Sequence, residues 1–273
     1  MEKRLTLGVI GCGNMGGAIV RGLLEHNRTA ERPRFGRIVA TTNSEETRRA
    51  LREALQIEAV AMANEAVKDA DVVLLAVKPQ VMPGVLDALG DTCAGKLVVS
   101  VAAGVRADTI VAKLPGARVV RTMPNTPLTV GEGAVAVVTG GVSDDDFHTV
   151  RDLFPGGLIV EVGEDQIDAA TAVSGSGPAY FYAFTEALTA AGVDAGLDRD
   201  QAKMLAERTF LGAAELFSKQ AGDNALIKLR QAVTSPNGTT AAALDAFERN
   251  GLRDVVKQSV LAARDRGREL SGQ

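Results

Sequence analysis

Six residues near the start, Gly11-Cys12-Gly13-Asn14-Met15-Gly16, follow a short apolar run, Leu5–Ile10, and open a helical pattern. In that order the glycines are suited to holding phosphates. Gly11 allows a tight strand-to-helix turn, Gly13 lets a pyrophosphate come up against bare backbone, and Gly16 lets helix and strand pack closely. The free N–H groups of the helix start would bind the phosphate oxygens. At the end of the second strand, where NAD-binding sheets of this kind carry an acidic residue, stand Thr42, Asn43 and Ser44, with Arg48 and Arg49 one turn later. Hydroxyls, an amide and guanidinium groups suit a 2′-phosphate, so NADPH is expected and NADH remains possible. Glu45 and Glu46 count against this, because they would repel a phosphate if turned inward.

Three later loops should complete the cofactor site, since ligands of open α/β sheets bind outside the carboxyl ends of the strands. They are Ala76-Val77-Lys78-Pro79, Val101-Ala102-Ala103-Gly104 and Met123-Pro124-Asn125-Thr126-Pro127, the last stiffened by two prolines. The second half offers two glycine-rich turns. Ser174-Gly175-Ser176-Gly177 precedes Pro178, and Ser235-Pro236-Asn237-Gly238-Thr239-Thr240 precedes a helix expected from Ala241 to Asn250. Each reads as a capped helix start or as an anion site; two of them beside a dinucleotide domain favour a substrate bearing a carboxylate. His26 and His148, the only histidines, lie in the first half in settings that read as structural, so an ordinary proton-transferring side chain is missing.

These residues need a frame. Strand-like runs at Leu5–Ile10, Arg37–Thr41, Ile57–Ala61, Asp71–Val77, Leu97–Val101, Ala117–Arg121, Gly133–Thr139 and Gly157–Val162 alternate with helical stretches, the pattern of βα units in a parallel sheet. From Asp165 onward alanine-rich helical spacing takes over, with a candidate capping box at Asp198 and Gln201 opening a helix from Arg199 to about Gln220. The expected fold class is α/β: a Rossmann-type doubly wound sheet over residues 1–164, then an all-α domain over residues 165–273. Between Pro178 and Ala191 only Glu186 is charged, and Tyr180, Phe181, Tyr182 and Phe184 supply four of ten aromatics. A helix so apolar all round must be covered all round, and a second copy of the chain is expected to help.

A hydrophobic share of 46%, a charged share of 23% and a net charge of −4 over 273 residues describe a globular protein with no electrostatic reason to bind nucleic acid or anionic membrane. The opening Met-Glu-Lys-Arg leads straight into a strand, unlike a signal peptide, and no apolar run is long enough to span a bilayer. Cys12 and Cys93 lack disulfide or zinc spacing, so no metal and a reducing cytoplasm are expected.

GCGNMG, AVKPQ, VSVAAGV, MPNTP, VSGSGPAYFY and VTSPNGTTAAAL, in this order and over essentially the whole chain, closely resemble pyrroline-5-carboxylate reductase. The resemblance implies a Rossmann domain, a helical dimerisation domain, homodimers that assemble further into rings, and NAD(P)H-dependent reduction of 1-pyrroline-5-carboxylate to L-proline, the last step of proline biosynthesis. It also implies that Thr240 is catalytic, its hydroxyl meeting the ring nitrogen. Ser174, Ser176, Gly238 and Thr239 would join Thr240 around the substrate, and Asn14, Met15 and Asn64 would join the loops above around the cofactor. Asn237 stands where the family often has glycine. Such chemistry accounts for the missing proton shuttle, because a pyrroline nitrogen can carry its own proton. Two rivals stay open. A β-hydroxyacid dehydrogenase would need a lysine on the helix after the serine–glycine turn, and Pro178–Ala191 has none; a catalytically silent NADP-binding regulator would use the helical half only for association.

Overall fold

A computed structural model describes residues 4–220 and 222–272. The reading of the first three residues as no leader lies outside that range. The β-branched and leucine runs form β1 (Leu5–Ile10), β2 (Phe35–Thr41), β3 (Glu58–Val60), β4 (Val72–Leu75), β5 (Leu97–Ser100), β6 (Arg118–Pro124), β7 (Ala134–Val138) and β8 (Leu158–Val162). Between them lie α1 (Asn14–Thr29), α2 (Glu45–Leu55), α3 (Ala63–Val67), α4 (Met82–Leu89), α5 (Ala107–Lys113) and α6 (Asp144–Leu153). The strands form one sheet in the order β3-β2-β1-β4-β5-β6-β7-β8. Successive β4 residues feed opposite faces, Val72 and Leu74 into one core and Val73 and Leu75 into the other, which is why the strand reads as continuously apolar.

β1 to β6 pair in parallel as expected, but β7 runs antiparallel to β6 and β8 follows β7 in parallel. This corrects the all-parallel expectation. The link from Pro124 to Ala134 holds only a short 3-10 turn, Thr126–Val130, and a parallel crossover needs a dozen or more residues.

The chain divides into two compact units, Met1–Ser176 with Leu261–Gln273, and Gly177–Val260. The division falls later than residue 164 because α7 (Ile167–Ala170) and the turn after it pack on β6 and β7. The second unit contains α8 (Gly177–Asp194), α9 (Arg199–Ser218), α10 (Ala225–Ala232), α11 (Thr239–Arg249) and the first part of α12 (Leu252–Leu270). Gln201 Oε1 accepts from the Asp198 amide at 3.2 Å, the returning half of the expected capping box at the start of α9. Inside this unit Phe181 stacks on Phe210 and Phe184 tilts against Phe247. Its buried hydrophobic side chains among the described residues are Ala202 and Ala206, while Phe181, Leu205 and Leu226 stand 60%, 58% and 64% exposed. A single copy therefore leaves most of the apolar surface of these helices uncovered.

Candidate active site

The register of the parallel strands brings the predicted cofactor residues to one edge. Ile10 pairs with Thr41 and with Leu75, and Leu75 pairs with Ser100, so Gly11, Thr42, Ala76 and Val101 all leave the sheet at the same level. Main-chain bonds hold the exits: the Ala76 amide donates to Ile10 O at 2.8 Å, and the Val101 amide to Leu75 O at 3.1 Å. Asn64 lies in the first turn of α3, just after β3, whose Val60 pairs with Thr41. Lys78 and Pro79 continue from β4 into a short 3-10 turn, with Lys78 exposed.

Each glycine of the first turn has a separate physical duty. Gly11 has φ +91°, and a Cβ there would come within 2.7 Å of Val77 Cγ1. Its amide donates to Thr41 Oγ1 at 3.1 Å, so the end of β2 fixes the turn. A Cβ on Gly16 would overlap the Gly11 carbonyl, which is the close packing of helix on strand. Gly13 differs: a Cβ there would meet nothing within 4 Å. The turn thus opens outward at Gly13 beneath the amides that start α1, and these residues fit a pyrophosphate. Burial pushes the Cys12 thiol up to about 11, against a weaker pull from Arg21, so no negative charge develops inside the turn near neutral pH.

Around Thr42-Asn43-Ser44 one of the two acidic residues, Glu45, is answered. Ser44 Oγ accepts from the Thr47 amide at 3.1 Å and caps α2. Arg48 Nε donates to Glu45 at 2.9 Å and its Nη1 to Thr42 O at 2.9 Å, while Arg52 holds the other Glu45 oxygen and Ala59 O. Hydrogen bonds from Arg48 and Arg52 keep the Glu45 carboxyl below its usual range. Glu45 therefore spends its charge on its own helix. Arg49 pairs with Glu53 on the exposed side, which separates it from the role open to Arg48.

The serine–glycine turn is not a free helix start. α7 runs into a π-helical turn, Thr171–Gly175, and the Ser176 amide is taken by Thr171 O at 2.9 Å before α8 begins at Gly177. Ser174 Oγ donates to Ala170 O at 2.9 Å, leaving its lone pairs as acceptors. Single π-turns of this kind are frequent at functional sites. Asn125, 8% exposed, uses its carboxamide as a brace: Oδ1 accepts from the Ala134 amide at 2.9 Å and Nδ2 donates to Ser174 O at 3.2 Å.

In the second unit α11 begins at Thr239, two residues earlier than expected, with Gly238 as its N-cap. Gly238 has no side chain to cap the helix, so the Thr239 and Thr240 amides have no intrahelical acceptor. The hydroxyls of Thr171, Thr185, Thr189 and Thr234 bond back to main-chain carbonyls; among the described residues the half-buried Thr240 hydroxyl has no such partner. Asn237 takes φ +55°, a left-handed angle that asparagine tolerates, which accounts for its standing in a glycine position. A Cβ on Gly238 would overlap Ser235 Oγ, so a side chain there would displace that hydroxyl.

Residues 164–270 match the family described as pyrroline-5-carboxylate reductase dimerisation, and residues 6–104 match NADP oxidoreductase, coenzyme F420-dependent. A pyrroline-5-carboxylate reductase of Pseudomonas aeruginosa is 40% identical over 273 residues, covering 97% of this chain and 96% of that protein. The chain belongs to the pyrroline-5-carboxylate reductase family. Among solved structures, the reductase of Coxiella burnetii superposes with a TM-score of 0.88 at 35% identity, over 98% of this chain and 99% of that one. That of Plasmodium falciparum, with NADP bound, gives 0.81 at 30% identity, with 98% of each chain covered.

Within a pyrroline-5-carboxylate reductase frame the histidines stay away from the ligand edge. His26 lies in the last turn of α1, and exposed His148 holds Asp144 O through Nδ1 at 2.6 Å inside α6. Sequence reasoning missed two groups near the site. Buried Ser100 shapes the Val101–Gly104 loop: its Oγ accepts from the Ala102 amide at 3.3 Å, and its carbonyl accepts from Thr122 Oγ1 at 3.1 Å. Arg121, 3% exposed, meets Glu164 at 2.6 Å and Asp168 at 3.7 Å. The signal for Arg121 was a charge directly after two valines inside a strand, Val119-Val120-Arg121.

Proposed function

We infer that the protein is an NAD(P)H-dependent oxidoreductase that reduces the C=N bond of 1-pyrroline-5-carboxylate to L-proline, the last step of proline biosynthesis. The observation that carries this reading is the start of α11, where two free amides and the unspent Thr240 hydroxyl meet at one helix end. The amides of Thr239 and Thr240 receive the substrate carboxylate, aided by the positive helix end. NADPH, when bound along Gly11, Gly13–Met15, Thr42–Ser44, Asn64, Ala76–Pro79, Val101–Ala103 and Asn125, supplies a hydride for the imine carbon of the ring, C2, on the other side of nitrogen from the carboxylate-bearing C5. As that carbon is reduced, the C=N π pair moves onto nitrogen. The protonated imine N–H donates to Thr240 Oγ1, which orients the ring and keeps its bond to the amine that forms. No side chain has to deliver a proton in this step, because the imine arrives protonated. Ser174 and Ser176 line the substrate side.

The uncovered apolar faces of α8, α9 and α12 support a homodimer, which assembles further into a ring. The two buried free thiols, Cys12 and Cys93, support a reducing cytoplasm. The test is loss of NADPH absorbance on adding racemic pyrroline-5-carboxylate, with the product checked for L-proline. NADPH binding without oxidation would leave a silent binder and overturn the reading. Light scattering should show at least a dimer.

A further inference from the structure

A charge buried on a sheet strand is expensive, and an apolar residue of similar size would often serve stability as well. Arg121 is such a charge, on the face of β6 that meets α7 and the π-turn. Side chains of a strand alternate, so Arg121, Met123 and, just past the strand, Asn125 lie along one side of the chain. All three engage the segment 164–175. Arg121 Nη1 donates to Glu164 Oε1 at 2.6 Å and its Nη2 lies 3.7 Å from Asp168 Oδ1. Met123 packs on Gly175 so closely that a Cβ there would sit 2.9 Å from its Cε. Asn125 Nδ2 donates to Ser174 O at 3.2 Å. Arg106 also faces this pair and interacts electrostatically with both Glu164 and Asp168. On the remaining side Gly267, from the end of α12, comes so near that a Cβ would lie 3.2 Å from Asp168 Oδ1.

We propose that Arg121 is a positioning residue: by gripping Glu164 and Asp168 it sets the register of α7 and the π-turn along β6, and so fixes Ser174 against the Met123–Asn125 loop. This rests on the reading of Ser174 as part of the substrate site. Apolar contacts such as Met123 on Gly175 are non-directional and tolerate sliding, whereas the directional Nη1–Glu164 hydrogen bond, with the Asp168 carboxylate 3.7 Å from Nη2, favours one register. Asn125, in the β6 loop, is then both the proposed cofactor residue and the brace that holds Ser174. Displacement of Ser174 affects the imine acid and leaves the dinucleotide turn at Gly11–Gly16 in place.

Arg121→Lys keeps the charge but offers a point donor in place of a fork, and Asp168→Asn keeps the shape while removing one arm. Each should lower kcat/KM for pyrroline-5-carboxylate by about tenfold, mostly through KM, with the Kd for NADPH by calorimetry within about twofold of wild type. Adding Ser174→Ala to Arg121→Lys should cost less than the product of the two single effects, because one acts through the other. Fully multiplicative effects, or parallel losses of NADPH and imine affinity, would overturn the proposal and leave a merely structural ion pair. Hydrogen exchange supplies a readout independent of turnover. Amides 171–176 should lose protection in Arg121→Lys while amides 5–16 keep theirs; unchanged protection at 171–176 overturns the proposal even if the wild-type protein proves inactive on the imine, a result that would refute only the reading of function.

Discussion

The glycines of the first turn make one prediction that separates binding from folding. At Gly13, with φ −83° and ψ −145°, the added methyl would project into open space. Gly13→Ala should therefore change stability by no more than about 0.5 kcal/mol. The same methyl fills the place where phosphate oxygens must approach the amides. Losing two charge-assisted hydrogen bonds at about 1.5 kcal/mol each removes about 3 kcal/mol, or about a hundredfold in Kd for NADPH. Gly16→Ala should behave oppositely. Its methyl would overlap the Gly11 carbonyl and lie 3.2 Å from Ala76 Cβ. Overpacking of that kind costs about 1–3 kcal/mol, and each kcal/mol lowers Tm by about 2–4 °C in a protein of this size. Calorimetric titration with NADPH and thermal melting of the two variants give both quantities. Wild-type NADPH affinity in a folded Gly13→Ala protein would refute the assignment of that open face to a pyrophosphate.

Thr240→Ala should lower kcat/KM by about one to two orders of magnitude with Tm unchanged, because the hydroxyl makes no hydrogen bond within the described residues; unchanged turnover would return Thr240 to a purely local role. Arg48→Ala should reduce the ratio of kcat/KM for NADPH over NADH by about tenfold while Arg49→Ala leaves it unaltered, and equal effects would show that the pairing of Arg49 with Glu53 does not set it aside. Burial raises both thiols, Cys12 and Cys93, from 9.0 to about 11. The unfolded chain ionises first, so stability by denaturant titration should fall as pH rises past 9 and level off near 11, and should not change between pH 6 and 8 on their account. Dilution should lower specific activity before it weakens NADPH binding, which fluorescence of the bound cofactor can follow alongside turnover.

Much of the first unit was legible because its signals are local. All eight strands were visible as β-branched runs, and the three duties of Gly11, Gly13 and Gly16 follow from spacing alone. The antiparallel β7 was legible in principle: Asn125–Gly133 holds Pro127 and no helical period, too little chain for a crossover. The π-turn was not. A step from four to five residues per hydrogen-bonded ring leaves no mark on an alanine-rich pattern, so Ser174 to Gly177 looked like a helix start when the chain was already helical from Ile167. Nor could sequence pair Arg121 with Glu164, which lies 43 residues away and becomes a neighbour only through the return of the chain past β7 and β8.

The two units carry their halves of the chemistry on different physical footings. The cofactor edge is built on strands whose exits are fixed by main-chain bonds and by apolar layers on both faces, so its amides are placed before any ligand or partner arrives. The turn at Ser235–Thr240 belongs to a unit whose buried hydrophobic side chains are two alanines, with large apolar residues left in the open. Leaving a side chain such as Leu205 or Phe181 uncovered forgoes about 1.5–3 kcal/mol each, so helices α8 to α12 gain their main hydrophobic stabilisation only when a second copy covers them. The helix start proposed to receive the carboxylate then becomes rigid on association, while the dinucleotide turn does not depend on it. That asymmetry is the reason dilution should cost turnover first and NADPH affinity later.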